Sequence, residues 1–368
     1  MIIREVKKKD FKEVKKLFLR NDLNFISKNS WDNQWRNPLL KRKHKFIFGW
    51  VYINKKKIIG HVGNYSTNYL FKKKKINCSV LHGWVVDQEF RNISLVLIKK
   101  YLNNKKNHFF LGSTFNKSAG NLLNSFGFAQ VPEKGLLQSF LIFLNIENSL
   151  DIYFIKKKLF LKRLFFRRVI IFFSNYFLKF YLFKNINNWK KIHYKNKVKP
   201  LSTLGKNYSN FWDKYLKLNS NGLMLDRNKL YLEWILNLKK NNNSIKLFQC
   251  VRNNTLIGYS SCLYKKVGKF KYAILLDILS INDDQSIYED LILANLKQAK
   301  KENCSFFEVR NFKLQKYKIL SRFEPFKIKL PHNNFYYKSN DNKLSKYFNS
   351  QNFWNPCSLD GDILQSLN

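Results

Sequence analysis

The chain has 368 residues, 45% of them hydrophobic, which is enough apolar content for a sizeable core and excludes global disorder. Its 13 glycines and 6 prolines exclude collagen-like, linker-dominated and propeller-like chains, and the length suits two domains. Lysine and arginine outnumber aspartate and glutamate 68 to 24, a net charge of +44 that favours an anionic partner or surface without choosing among nucleic acid, lipid and a phosphorylated cofactor. A plainer source of the excess is codon bias. The chain is rich in Lys, Asn, Ile, Phe and Tyr, the residues of AT-rich codons, and solvated lysines cost little at a surface.

Residues 2–6 alternate like a short strand, and Asp10 is placed to cap a helix whose apolar face carries Phe11, Val14, Leu17 and Phe18. A stretch with Trp31 and Trp35 follows. Strands are expected at 46–53 and 58–65 around the turn Asn54-Lys55-Lys56, and again at 76–86. Then come a helix at 93–101, a strand at 109–113, a helix at 116–125 and a last strand at 138–144. This order belongs to a mixed α/β domain.

The second half repeats the layout: a helix at 231–238, a hairpin of 246–252 and 256–263 around Asn253-Asn254, and a strand at 272–281. A helix at 288–301, a strand at 306–309, a helix at 316–323 and a strand at 335–337 complete it. Ile58-Ile59-Gly60-His61 aligns with Leu256-Ile257-Gly258-Tyr259, and Phe128 with Phe326, at one common offset, which points to duplicated architecture. The expected organisation is residues 1–148, a basic aromatic helical linker at 149–200, a second domain at 201–340 and a tail at 341–368. In the linker, Lys156, Lys157, Lys158, Lys162, Arg163, Arg167 and Arg168 precede a nearly apolar run to Phe183 that is too short to span a bilayer. It reads either as a core helix pair or as an interfacial helix on an anionic membrane.

The five cysteines (78, 250, 262, 304 and 357) are scattered and form no CxxC, which argues for a reducing, cytoplasmic compartment and against a structural zinc or a disulfide framework. The N-terminus is charged too soon for a signal peptide.

The stretch from Trp84 to Ile98 carries the most chemistry. A strand ends, a polar loop follows and a helix starts, so free N–H groups and the positive end of the helix dipole meet at a ready pyrophosphate site, with Arg91 beside it. The plain alternative is an ordinary crossover with a surface arginine. Downstream, Asn116 to Ala119 opens a helix that closes at Phe126-Gly127-Phe128, with Gly127 suited to a left-handed C-terminal position.

With these residues in order, the chain resembles the GNAT superfamily of acyl-CoA N-acyltransferases. Val86 and Arg91 match its Val-x-Pro-x-x-Arg loop, and Asn116, Ala119, Gly127 and Phe128 match its Asn-x-x-Ala…Gly-Phe element. The match covers about residues 1–145, and residues 201–340 resemble a second, more diverged copy. Tandem domains also resemble the peptidoglycan aminoacyl transferases. The lead-in Trp84-Val85-Val86-Asp87 and the tail Asp360-Gly361-Asp362 resemble GNAT proteins among envelope-polysaccharide enzymes.

The resemblance implies two α/β domains, each a mixed twisted sheet flanked by helices, and an acyl-CoA, acetyl-CoA first of all. It implies that Trp84, Val85, Val86, Arg91, Asn92, Ile93, Ser94, Leu95, Val96 and Asn116 hold the cofactor. It further implies transfer to an amine on a small or envelope-precursor acceptor. His82, on the same strand face as Trp84 by simple alternation, is the candidate base, with His61 in reserve. Asp87 is placed to cap the loop or meet the amine, and Thr114 to touch acceptor or pantetheine.

Departures stand beside these matches. Asn92, Ser94 and Val96 replace the family's loop glycines or alanine, Gln88 replaces its proline, and Leu123 stands where a Tyr acid is frequent. Asn92 and Val96 crowd a diphosphate, whereas Ser94 is small and can donate a hydroxyl. The second copy carries Asn282-Asp283-Asp284 after its central strand, an acidic loop that repels a diphosphate, so the cofactor is assigned to the first half. Other readings remain: a peptidoglycan-type aminoacyl transferase, or a non-catalytic basic protein on an anionic membrane or nucleic acid. No specific nucleic-acid motif is visible.

Overall fold

A computed structural model describes residues 2–41, 46–103, 108–145, 189, 192–219, 221–237, 244–267 and 270–361. Most of the linker, including its basic start and apolar run, lies outside the described residues. Its last four positions do not continue a helix. Lys197–Pro200 forms a strand, β8, which pairs with a hairpin strand of the second sheet.

The described residues form two mixed α/β units. The first comprises residues 1–133, 220–240 and 332–368, and the second comprises 134–219 and 241–331. The first holds β1 (Ile2–Glu5), β2 (Gly49–Asn54), β3 (Lys57–Phe71), β4 (Lys74–Val86), β5 (Phe109–Gly112) and β6 (Ala129–Gln130). It also holds β9 (Met224–Leu225) and β15 (Tyr336–Ser339), and its sheet runs β1-β2-β3-β4-β5-β15-β6, with β9 against β3. The second holds β7 (Gln138–Phe143), β8, β10 (Ile245–Arg252), β11 (Thr255–Val267), β12 (Phe270–Ser280), β13 (Cys304–Arg310) and β14 (Phe326–Lys329), in the order β14-β7-β13-β12-β11-β10-β8.

Both orders follow one scheme: a hairpin, a long central strand, a parallel neighbour, and then a strand from elsewhere in the chain. The expectation of contiguous domains at 1–148 and 201–340 differs from this arrangement. β7 was expected to close the first sheet but pairs antiparallel with β13 in the second, and β15, expected in the second half, pairs antiparallel with β5 in the first.

Local chemistry sets the turns. Lys55 and Lys56, Lys72 and Lys73, and Asn253 and Asn254 all take positive φ, the pairwise left-handed geometry that matches the twist of a two-residue hairpin. The helices of the first unit are α1 (Phe11–Arg20), α2 (Lys28–Gln34), α3 (Ser94–Leu102) and α4 (Lys117–Asn124). In α1, Val14, Leu17 and Phe18 are buried at helical spacing and meet Trp31, Val51 and Val85. On the other sheet face, Leu97, Ile98 and Tyr101 of α3 meet Trp50, Val62 and Leu81.

Asp10 does not cap α1. Its carboxylate is paired with Arg4 at 2.6 Å and accepts from the Lys7 amide, so it fixes the turn before the helix. The later helices are α5 (Lys206–Leu218), α6 (Lys229–Asn237), α7 (Gln285–Lys301) and α8 (Asn342–Phe348); residues 314–323 form a 3-10 helix. The aligned glycines do equivalent work. A side chain at Gly60 would meet Leu97 and Ile93, and one at Gly258 would meet Ile287 and Leu291, so each lets the helix after the central strand pack closely.

One irregularity positions the site. β3 and β4 are in register at His61↔Val85 and again at Gly63↔His82, so Val62 alone spans Gly83 and Trp84. This is a β-bulge, and Gly83 takes the φ of +55° that it requires. The extra residue inverts the alternation. Leu81, Trp84 and Val86 pack on the α3 side, while Val85 packs on the α1 side and His82 stacks near His61 and Tyr65. The expected shared face of His82 and Trp84 is therefore lost.

Gly63 lies opposite His82, and a β-carbon there would overlap the imidazole. Gly63→Ala is expected to destabilise the protein by about 1–3 kcal/mol in urea unfolding, and His82→Ala in the same chain to recover part of that loss.

Candidate functional site

β4 and β5 pair in parallel only from Cys78↔Phe109 to Val80↔Leu111, yet β4 runs on to Val86. Past Val80 the two strands part, and the β4 edge there has no ladder partner among the described residues. A cavity of about 380 Å³ opens at this gap. It is lined from the α1 side by Phe18, Phe25, Ile26 and Trp31, and from the α3–α4 side by Trp84 and Phe115. Members of both cores wall it, so it passes through the plane of the sheet. Leu23 and Asn24 are exposed at one end, and Thr114 and Asn116 at the other.

Of the residues singled out from the sequence, His82, Trp84, Val85, Thr114 and Asn116 line this cavity, together with His61. Asn116 also caps α4, its Oδ1 accepting from the Ala119 amide at 2.9 Å. Gly127 takes φ +78° after that helix, as its sequence position implied, and Phe128 is buried behind it. The substituted Leu123 is fully buried in the α3-side core.

Val86, Asp87 and Arg91 to Val96 do not line the cavity. Val86 leans on the α3-side core, and Ile93 is buried beneath Gly60. The loop after β4 is wound tighter than a row of free amides. Residues 88–93 form 3-10 turns, Asp87 N donates to Ile59 O, Phe90 N to Asp87 O, and Ser94 N to Arg91 O. Arg91 and Asn92 are exposed on these turns and Ser94 is half-buried. Leu95 and Val96 put apolar side chains, each 42% exposed, on the first turn of α3.

Asp87 neither caps the loop through its side chain nor faces the cavity. Its carboxylate accepts from Arg20 Nε and Nη2, both at 2.7 Å, and from Asn21 Nδ2 at 2.9 Å, tying α1 to the end of β4. Burial pushes its pKa up, but the hydrogen bonds from Arg20 and Asn21 outweigh this and hold it below the usual carboxylate range.

The two histidines set the electrostatics. His61 is fully buried, its Nδ1 lying 2.7 Å from Gly83 O, so the proton sits on Nδ1 and Nε2 is bare. Burial pushes its pKa down to about 4. His82 is 6% exposed, and burial, with the neighbouring His61, pushes it down to about 3. Its Nε2, like Trp84 Nε1, is buried and has no hydrogen-bond partner among the described residues. Both rings are neutral at pH 7. Both rings wall the cavity, with these two nitrogens turned away from the open space.

The wall from Phe25, Ile26 and Trp31 is a contribution that the sequence reading missed. The tryptophan-rich stretch was its only signal, and pattern alone did not say which sheet feature it covers. Trp234 of α6 contacts Asn33 and Tyr65 of its own unit.

The second unit repeats the parting. The β12–β13 ladder ends at Leu275↔Val309, while β12 continues to Ser280. There, Ile278 O accepts from Lys316 Nζ, Asp283 takes the Tyr288 hydroxyl, and Asp284 caps α7 by accepting from Ser286 N.

The fold is shared with solved structures. Over 92% of its length the chain superimposes on an Enterococcus faecalis protein described as a probable N-acyltransferase, with a TM-score of 0.58, 10% identity and 72% of that chain covered. It superimposes equally far on a GCN5-related N-acetyltransferase from Anabaena variabilis (0.53, 8% identity, 73% of that chain). It does so again on Saccharomyces cerevisiae N-myristoyltransferase with bound myristoyl-CoA (0.52, 13% identity, 78% of that chain). The fold is that of GNAT-like acyltransferases. No protein-family model and no curated protein matches the sequence. Among the described residues no helix is long and apolar enough to cross a membrane, and no group of three or more His, Cys, Asp or Glu is placed to hold a metal.

The histidine pair has a consequence for stability. Both native pKa values lie below the 6.5 of an open imidazole, so the unfolded chain binds more protons between pH 6.5 and about 4, and stability falls as pH falls through that window. Each histidine contributes at most about 1.4 kcal/mol per pH unit. Urea unfolding between pH 7.5 and 4.5 is expected to show this slope, and His61→Gln and His82→Gln each to remove about one proton's worth of it.

Proposed function

We propose that the first unit binds an acyl-CoA and that the protein is an N-acyltransferase, an N-acetyltransferase in its simplest form, acting on an amine of a small or envelope-polysaccharide precursor. The observation that carries this is the parted sheet: an unpaired edge of β4 bordering a cavity walled by a buried imidazole with an unbonded nitrogen. The GNAT-like fold supports it. The order of strands in the two sheets supports a tandem duplication, in which the second unit keeps the architecture and fills its own gap with Lys316. We place the protein in the cytoplasm, where its basic surface allows peripheral contact with an anionic membrane.

The residues present fit such a cofactor along β4. The open backbone edge at Trp84, Val85 and Val86 would take the pantetheine amides, with Thr114 and Asn116 at the mouth beside it. Arg91, Asn92 and the start of α3, from Ile93 to Val96, would meet the diphosphate. When bound, the cofactor supplies the acyl group as an activated thioester. This chain's own residues align the two reactants and keep water from them, with His82 as the base. Asp87 acts at one remove, by holding α1 against the end of β4.

One observation favours a second reading. Leu95 and Val96 crowd the first turn of α3 and several loop amides are already bonded, which suits a binding protein that has lost the cofactor.

Coenzyme A separates the two. At a hundredfold excess over its Kd it is expected to stabilise the protein by about 2.7 kcal/mol, raising Tm by several degrees. Arg91→Ala is expected to weaken that binding roughly tenfold while changing the stability of the free protein by less than about 0.5 kcal/mol. No Tm shift with coenzyme A or acetyl-CoA would favour the binding-protein reading.

A further inference from the structure

The composition of the cavity wall is at odds with the rest of the molecule. In a chain of net charge +44, no Asp, Glu, Lys or Arg is among the described residues that line this space. The acid whose charge reaches His61, Asp10, is paired with Arg4 and the Lys7 amide, and Asp87 spends its oxygens on Arg20 and Asn21. The two buried imidazoles add no charge at neutral pH. An alkylammonium ion entering here gives up its water and meets no anion, only ring faces whose cation–π attraction offsets part of that cost.

A flat uncharged ring is matched instead. Phe18, Phe25 and Trp31 wall one end, and Trp84 and Phe115 wall the other. Such surfaces favour edge and offset contact with another ring. Between them stand the only two buried side-chain atoms of the wall without a partner among the described residues, His82 Nε2 and Trp84 Nε1.

We infer that the acceptor bound in this cavity is an amine already uncharged at neutral pH and carried on a flat, largely apolar ring, of the arylamine class, which selects the small-molecule acceptor over the envelope-polysaccharide precursor, and that alkylammonium compounds and polyamines bind more weakly. The word acceptor rests on the transferase reading; the selectivity of the cavity does not. Such a nitrogen needs no deprotonation before it reacts. It gains the acyl carbon as the carbon–sulfur bond breaks, and one proton passes from nitrogen to the departing sulfur. Amine and thioester thus become amide and thiol with no other reactant.

The test uses the full chain and two isomers of one composition: p-toluidine, neutral at pH 7.5, and benzylamine, a cation at that pH. Binding is followed by tryptophan fluorescence and calorimetry. p-Toluidine is expected to bind once per chain and at least about tenfold more tightly than benzylamine. Leu23→Trp, a change at an exposed position on the cavity edge, is expected to weaken p-toluidine several-fold by filling that end. Equal or tighter binding of benzylamine, no binding of p-toluidine at millimolar concentration, or an unchanged p-toluidine affinity in Leu23→Trp would each overturn the inference. Coenzyme A is titrated into the same preparations. If it binds while p-toluidine does not, the acceptor inference falls alone. If p-toluidine binds selectively while coenzyme A does not, the transferase reading falls and the selectivity of the cavity stands.

Discussion

The first unit is organised around the point where β4 leaves β5. A parallel ladder that stops at Val80 while its strand continues to Val86 leaves the β5-facing edge of that strand without a ladder partner among the described residues, and backbone groups cost free energy unless something meets them. The bulge at Gly83 and Trp84 adds local twist at the same place, turning His82 and Val85 to one face and Trp84 to the other. The cavity, the unbonded imidazole and the aromatic walls all follow from that one departure from regular pairing.

Charge is managed around this point by exclusion. Asp87, at the end of β4, is neutralised by Arg20 and so braces α1 against the strand without facing the cavity. The histidines stay neutral because burial forbids the imidazolium form. The second unit shows the same strand scheme put to a different end. Past its ladder, the Ile278 carbonyl is met by Lys316, and the acidic residues after β12 are spent on a cap and a tyrosine. Two similar sheets thus differ in the side chains that stand past the end of the parallel ladder.

Much of this was legible in the sequence. Most strand and helix identities, though not α2 or α5, followed from alternation and helical spacing, Gly127 from capping chemistry, and the common placement of Gly60 and Gly258 from their offset. Four features were not legible, each for a physical reason. The exchange of β7 and β15 between the sheets is a choice of long-range partner, which local pattern does not encode. The bulge turns on one glycine at positive φ, and without it alternation gives the wrong face for His82. Asp10 and Asp87 read as caps, because an aspartate before a helix or turn has that role when no arginine competes; Arg4 and Arg20, which claim them, stand elsewhere in the chain. The loop from Gln88 to Ile93 read as open backbone, whereas local hydrogen bonds close it into 3-10 turns.

The central claim is that the backbone bordering the gap is where a cofactor is held. Amide hydrogen exchange, followed peptide by peptide with and without saturating coenzyme A, measures this backbone directly. The account predicts slowed exchange confined to segments covering residues 81–96 and 113–119, with residues 276–286 of the second unit unchanged. Protection absent from 81–96, or centred instead on 276–286, would contradict it.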